Sequence, residues 1–195
     1  MIKKIFFDMD DTAFDTHNFM LCYLMNWGIY PGTDSYITPE NGKQPFIDML
    51  EDGRFMLEAN MRDYFIQTVA MLVREGFSAG ICTHRGYHPK GERNTRKSLE
   101  KHLSLFDHIH VLDSRQHPDK IAYLNEVHGE GTYVLVDDNP VTAVRDKFTR
   151  VGEQLVLPRS VLLFNKPWNM HIDHPHRISS FDREHFLQNL IPMLD

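Results

Sequence analysis

Two acidic clusters stand where apolar runs stop. Asp8-Met9-Asp10-Asp11-Thr12 follows the run at 2–7, and Asp137-Asp138-Asn139 follows the run at 132–136. Aspartate is disfavoured inside strands and costly to bury unpaired, so carboxylates gathered at strand ends require a compensating cation. An all-oxygen donor set suits Mg²⁺, a hard ion that keeps some of its waters. Thr83 follows a further apolar run, 78–82, and offers a hydroxyl and a backbone N–H to an anionic oxygen. Lys120, in the first turn of a predicted helix, can neutralise a phosphate or a nucleophilic carboxylate. Each has an ordinary reading when taken singly: helix caps for Asp8, Asp10, Asp11 and Thr12, a turn residue for Thr83, an exposed lysine, and a capping turn over 137–140. Together, in order behind successive strands, one catalytic arrangement explains them all.

The elements that must deliver these groups are legible as an alternation. Runs at 2–7, 78–82, 108–112, 132–136 and 160–164 predict buried strands. Between them, Met61, Phe65, Val69, Leu72 and Val73 recur at helical steps and end at Gly76. Pro118 opens a second predicted helix with Ile121, Leu124 and Val127 inward, stopped by Gly129. Pro140 opens a third, with Val141, Val144 and Phe148 inward. This pattern implies an α/β fold, a Rossmann-like three-layer α/β/α core around a parallel sheet, which brings both acidic clusters to one edge.

Residues 13–60 break the rhythm. Phe19, Met20, Tyr23, Leu24 and Trp27 have helical spacing, while 28–45 is rich in turn residues. The interval predicts a small, mostly helical cap inserted after the first strand, above the carboxyl edge where such sheets bind ligands; one long surface excursion is the alternative. The core is then 1–12 with 61–195, and the cap 13–60.

The whole is one domain in length, 195 residues, with 27 acidic against 21 basic side chains and a formal charge of −6. That balance argues against a stable complex with a nucleic-acid backbone. Cys22 and Cys82 are far apart and read as free buried thiols in a reducing compartment. No apolar window approaches the roughly 18 residues that span a membrane. The first apolar stretch runs straight into aspartates, unlike a signal peptide, so the expected location is the cytoplasm.

The motifs resemble those of the haloacid-dehalogenase-like (HAD) superfamily: an aspartate pair after strand one, Thr or Ser after strand two, a lysine, and an acidic pair after strand four. The likeness runs in order along nearly the whole chain. Val161-Leu162-Leu163-Phe164-Asn165-Lys166-Pro167-Trp168-Asn169 and the length of the insert are similar to the 5′(3′)-deoxyribonucleotidase branch and its phage and bacterial relatives. The resemblance implies a Mg²⁺-dependent phosphatase. Asp8 matches the nucleophile, Asp10 the general acid and base, Thr83 the phosphate-binding hydroxyl and Lys120 the stabilising lysine. Mg²⁺ would be held by Asp8, Asp138 and the Asp10 backbone carbonyl, with Asp137 behind them, orienting water or pairing with Lys120. Asp11 departs from the glycine often found at its position, and His84-Arg85-Gly86 departs from the usual deoxyribonucleotidase text.

An aspartyl-phosphate mechanism is implied, in which Asp8 attacks phosphorus and Asp10 protonates the leaving oxygen. A nucleotide-binding GxxxxGK[ST] loop is lacking, which sets an ATP-dependent kinase aside. The expected substrate is a small phosphorylated molecule, a (deoxy)ribonucleoside monophosphate by resemblance. Arg85 is a candidate contact to it or equally a salt-bridge partner of Asp11 or Glu92, and His84 a candidate contact or simply a hydrogen-bonded histidine. Phe19 and Tyr23 are candidates to stack on a base, although a helical aromatic stripe is more often core. Another small phosphorylated metabolite, a nucleic-acid 3′-phosphate and phospholigand binding without turnover stay open, as does monomer or homodimer. The 171–176 segment, with three histidines, fits no ordered zinc pattern and reads as an irregular loop near the site.

Overall fold

The computed structural model describes residues 2–32, 37–141 and 156–194. Its six-stranded sheet has the order β3-β2-β1-β4-β5-β6, every pair parallel, from β1 (Lys4–Phe7), β2 (Ser78–Thr83), β3 (His108–Val111), β4 (Tyr133–Asp137), β5 (Val161–Phe164) and β6 (Arg177–Ile178). Side-chain alternation splits the core in two. Ile5, Phe7, Val134, Val136, Leu162 and Phe164 join one buried cluster, and Phe6, Tyr133, Leu135, Val161 and Leu163 the other. Helices α4 (Phe65–Arg74) and α7 (Arg183–Leu190) cover the first face with Phe65, Val69, Leu72, Phe186 and Leu190; α6 (Lys120–His128) covers the second with Ile121 and Leu124. This is the expected three-layer α/β/α core with a helical cap.

The strand order reverses at the centre. β2 and β4 lie on opposite sides of β1, with Phe7 level with both Ile81 and Val136. A crevice opens at the carboxyl edge of a parallel sheet at such a point. Asp8 emerges there beside Asp137 and Asp138, its N–H donating to the Val136 carbonyl at 2.9 Å.

Three helices, α1 (Thr16–Met25), α2 (Pro39–Asp52) and α3 (Phe55–Glu58), lie between β1 and α4, and Leu21, Leu24, Ile37, Phe46, Met49, Phe55 and Met56 form a buried cluster of their own. Helix α2 occupies ground the sequence reads as turns. Pro39 sits at its first turn, where a missing N–H costs nothing, and Thr38 and Asn41 form a reciprocal cap. The turn signals at Asn41-Gly42 and Pro45 mark a kink inside the helix, where Lys43 has φ 55°.

Other differences are local. Helix α4 starts at Phe65, not at 61, because Tyr64 adopts φ 64°. Helix α6 starts at Lys120, its first N–H groups capped by the Asp119 carboxylate, and Val127 points to solvent. Trp27 is 63% exposed, and Cys22 is exposed; only Cys82 is the expected buried thiol. Val144 and Phe148 of the helix expected after Pro140 lie outside the described residues. No helix among the described residues is long and apolar enough to cross a membrane.

The loop from β2 to α5 (Gly91–Ser98) turns on a close approach: a Cβ at Gly91 would stand 2.0 Å from the Arg85 carbonyl oxygen. The neighbour is backbone, so no side chain can swing away. Gly91→Ala is therefore expected to lower the denaturant midpoint, with a loss on the order of 1–3 kcal/mol.

Candidate active site

Lys120 opens α6, where the helix dipole disfavours a cation, and it is almost wholly buried. Two carboxylates compensate: its Nζ lies 2.8 Å from Asp8 Oδ1 and 2.8 Å from Asp137 Oδ2. Burial would lower its pKa, but Asp137 and Asp8 outweigh that and hold the ammonium above its ordinary value. Burial raises Asp137 to about 7 and Asp8 also upward, because each has only a share of one cation. Both Asp137 oxygens are engaged, Oδ2 by Lys120 and Oδ1 by the Asn139 N–H at 2.7 Å. That places Asp137 behind the others, paired with Lys120.

Asp138 is 4% exposed and is held by neutral donors: the Thr12 hydroxyl at 3.1 Å on Oδ1 and the Trp168 indole N–H at 2.9 Å on Oδ2. Its own N–H donates to Thr12 Oγ1, and Asn169 Nδ2 donates to its carbonyl. Burial, with Asp11, Asp137 and Asp8 nearby, pushes this carboxyl well above its ordinary value. Oxygens of Asp8, Asp137 and Asp138 lie within 4.8 Å of one another. Asp10 and Asp11 have their own partners, Arg85 and Lys166. With all three remaining carboxylates ionised, as a bound cation would keep them, they face one ammonium with a formal excess of two negative charges, the charge that a divalent cation carries. The oxygen donors suit a hard ion of that kind.

Asp10 is oriented rather than loose. Arg85 Nε and Nη2 bond its two oxygens at 2.8 and 2.6 Å, and the Thr16 hydroxyl adds a third bond at 2.8 Å. Burial would raise the Asp10 carboxyl, but Arg85 and Thr16 prevail and hold it below the usual range. Arg85, a candidate substrate contact, is 0% exposed and spends its remaining nitrogen on the Met56 carbonyl of the cap at 3.2 Å. Asp11 has φ 62°, the left-handed conformation that glycine favours and aspartate tolerates, so an aspartate can stand where the resemblance leads one to expect glycine. The His17 N–H on its Oδ1 and Lys166 at 3.4 Å offset part of its charge, but burial outweighs them and raises its carboxyl above the ordinary value.

Above these groups lies a cavity of about 290 Å³. Asp8, Asp10, Thr83, Lys120, Asp138 and His84 all line it; Phe19 and Tyr23 are not among its lining. Phe19 packs against the core and cap clusters, and Tyr23 packs against the cap cluster with the Arg54 guanidinium 5.9 Å from its ring. The apolar roof comes instead from Met20, Ile37, Phe46, Leu50 and Phe55. Thr83 Oγ1 is buried with no hydrogen-bond partner among the described residues. Core side chains clamp the cap by its backbone: His88 bonds the Glu51 carbonyl at 2.7 Å and Asn94 the Gly53 carbonyl at 3.4 Å. The 171–176 segment does not gather its histidines on one point; His174 bonds the Val161 carbonyl.

Sequence reasoning misses the roles of Thr12, Thr16, Trp168 and Asn169. Thr12 and Thr16 are visible as polar residues close behind the aspartates, but nothing local ties Trp168 to Asp138, 30 residues earlier.

No family model and no curated protein matches the chain. Solved structures do, and they show its fold to be of the haloacid-dehalogenase type. A HAD-superfamily hydrolase, subfamily IA, variant 1, from Geobacter sulfurreducens PCA aligns over 100% of this chain and 97% of its own, with TM-score 0.59 and 15% identity. CbbY from Rhodobacter sphaeroides in complex with phosphate aligns over 98% and 100%, with TM-score 0.53 and 15% identity. L-2-haloacid dehalogenase from Xanthobacter autotrophicus, with chloropropionic acid covalently bound, aligns over 96% and 98%, with TM-score 0.54 and 12% identity.

His84 connects the site to acid stability. Its Nε2 lies 2.8 Å from the His117 carbonyl, and burial, followed by the Lys120 charge, pushes it down to about 3. A histidine depressed in the folded state takes its proton on unfolding, so its stabilising contribution is lost as pH falls below about 6.5. His84 should show no NMR titration between about pH 5 and 8. The melting temperature should fall across the acid side of that window, and less steeply in His84→Gln.

Proposed function

We propose that this protein is a Mg²⁺-dependent phosphomonoester hydrolase acting through an aspartyl-phosphate, with (deoxy)ribonucleoside monophosphates as its substrates. The observation that carries the reading is the charge balance of the buried site: two uncompensated negative charges beside a lysine and an unpartnered threonine hydroxyl, all lining one cavity. The phosphate bound in CbbY and the chloropropionic acid covalently bound in the dehalogenase are in keeping with an anion site and covalent chemistry on this fold.

Asp8 is the nucleophile. Its carboxylate oxygen attacks phosphorus as the bond to the leaving oxygen breaks, giving the acyl phosphate. Lys120, 2.8 Å from Asp8, neutralises one equatorial oxygen, and the Thr83 hydroxyl donates to another. Asp8, Asp138 and the Asp10 carbonyl would hold Mg²⁺, which when bound supplies Lewis-acid neutralisation of phosphate charge. Asp10 takes up a proton from solvent as the phosphate dianion arrives and gives it to the leaving oxygen. It later takes a proton from the water that attacks phosphorus as the Asp8–phosphate bond breaks, which restores the free Asp8 carboxylate. Arg85 and Thr16 fix the direction of its carboxylate. They also keep it ionised at rest, and an arriving phosphate, as a like charge, raises its proton affinity.

The cavity is at the small end of ligand pockets, about 300–1,000 Å³, and the clamped cap closes it over one small molecule. The roof of Met20, Ile37, Phe46 and Phe55 gives a base or sugar an apolar face, and His84 and Asn139 add polar side chains to the lining.

Asp8→Asn is expected to abolish phosphate release from both nucleoside monophosphates and an aryl phosphate, with an unchanged circular dichroism spectrum. Lys120→Ala or Thr83→Ala should each cost about 10²–10³ in rate. Rapid release from sugar phosphates with none from nucleotides would reject the nucleotide assignment; turnover by Asp8→Asn would reject the nucleophile.

A further inference from the structure

A second cluster of metal-ligating side chains lies on the α6 face of the sheet, made of nitrogen where the first is made of oxygen. His108 and His110 are two residues apart on β3, the edge strand, and so share a face. His128 ends α6 and meets them. One ring nitrogen from each lies within 4.8 Å of the others, and His110 Nε2 is 3.0 Å from His128 Nε2. The three rings stand around Phe6, whose ring centroid is 6.0, 5.7 and 4.7 Å from those of His108, His110 and His128.

We infer that His108, His110 and His128 form a binding site for a borderline transition-metal dication such as Zn²⁺, with an open fourth position, which staples the edge strand β3 to the end of α6. Zinc–imidazole bonds of about 2.0–2.1 Å in a tetrahedron put neighbouring nitrogens about 3.3 Å apart, so the His110–His128 pair already has nearly the required bite. All three histidines are half-buried, which keeps a route for the ion and room for water as the fourth ligand. Three imidazoles favour Zn²⁺, Co²⁺, Ni²⁺ or Cu²⁺ over Mg²⁺, so the two clusters sort metals by donor chemistry.

The surroundings support ligation. The Tyr123 hydroxyl lies 3.1 Å from His110 Nδ1, positioned to accept that N–H and turn Nε2 toward the ion, as outer partners of ligating histidines do. Lys4 opposes binding: its Nζ is 3.4 Å from His128 Nδ1, a contact that must break when Nδ1 carries the proton and Nε2 the metal. Removing Lys4 should therefore tighten the site.

The test is Co²⁺ binding to the full chain in excess Mg²⁺, which occupies the carboxylates, read as visible d–d absorption. One equivalent should bind with the intense absorption of a tetrahedral nitrogen site. His110→Gln and His128→Gln should each abolish it, with folding checked by circular dichroism. Tyr123→Phe should weaken binding about ten-fold or more. Lys4→Gln should strengthen it, and Asp8→Asn should leave it intact. No absorption in the wild type, or absorption that survives in either folded histidine variant and vanishes in Asp8→Asn, would overturn the site.

Discussion

Three buried carboxylates share one buried ammonium at the carboxyl ends of the two central strands. Each ion taken out of water costs several kcal/mol after relaxation, and Lys120 can repay only part of that. The rest of the site is arranged around this imbalance. Arg85 takes Asp10 out of it, and Lys166 offsets only part of the Asp11 charge. Thr12 and Trp168 satisfy the Asp138 oxygens without adding positive charge, so the deficit stays where Asp8 and Asp138 face the cavity. Neutral donors on Asp138 preserve attraction for a divalent ion that an arginine there would have cancelled.

Arg85 has a second consequence. It joins the Asp10 carboxylate to the Met56 carbonyl, so the direction of that carboxylate depends on the seating of the cap. His88 and Asn94 reinforce the same seam through carbonyls of 51 and 53. The roof of the cavity is thus tied to the core, and Met20, Ile37, Phe46, Leu50 and Phe55 line the cavity as well as packing among themselves.

The strands, their order of use and the groups at their ends are legible because strand β4 and its neighbours are short continuous apolar runs, and because a parallel sheet delivers the residues after each run to a single edge. Asp8, Thr83, Lys120 and Asp138 come from that logic together with family likeness. The kinked helix α2 is hidden, since Pro39, Asn41-Gly42 and Pro45 look like turns until the cap by Thr38 and the break at Lys43 are seen. For Arg85 the sequence leaves substrate contact and a salt bridge equally open, and the acidic partner it takes is Asp10 rather than Asp11 or Glu92, because a charged residue close behind Thr83 gives no sign of being wholly buried there. Trp168 is unassignable, since its partner is distant in sequence. The histidines of β3 and α6 meet only through the packing of that helix on the sheet.

Because the whole site turns on a charge deficit, melting of the wild type and Asp138→Asn, each with and without Mg²⁺, tests it most directly. Removing one of the crowded charges should make the metal-free variant melt above the metal-free wild type, while Mg²⁺ should raise the wild type through linkage and leave the variant nearly unmoved. Equal responses to Mg²⁺, with the metal-free variant melting lower, would contradict the assignment of Asp138 as the unpaired charge that holds the ion.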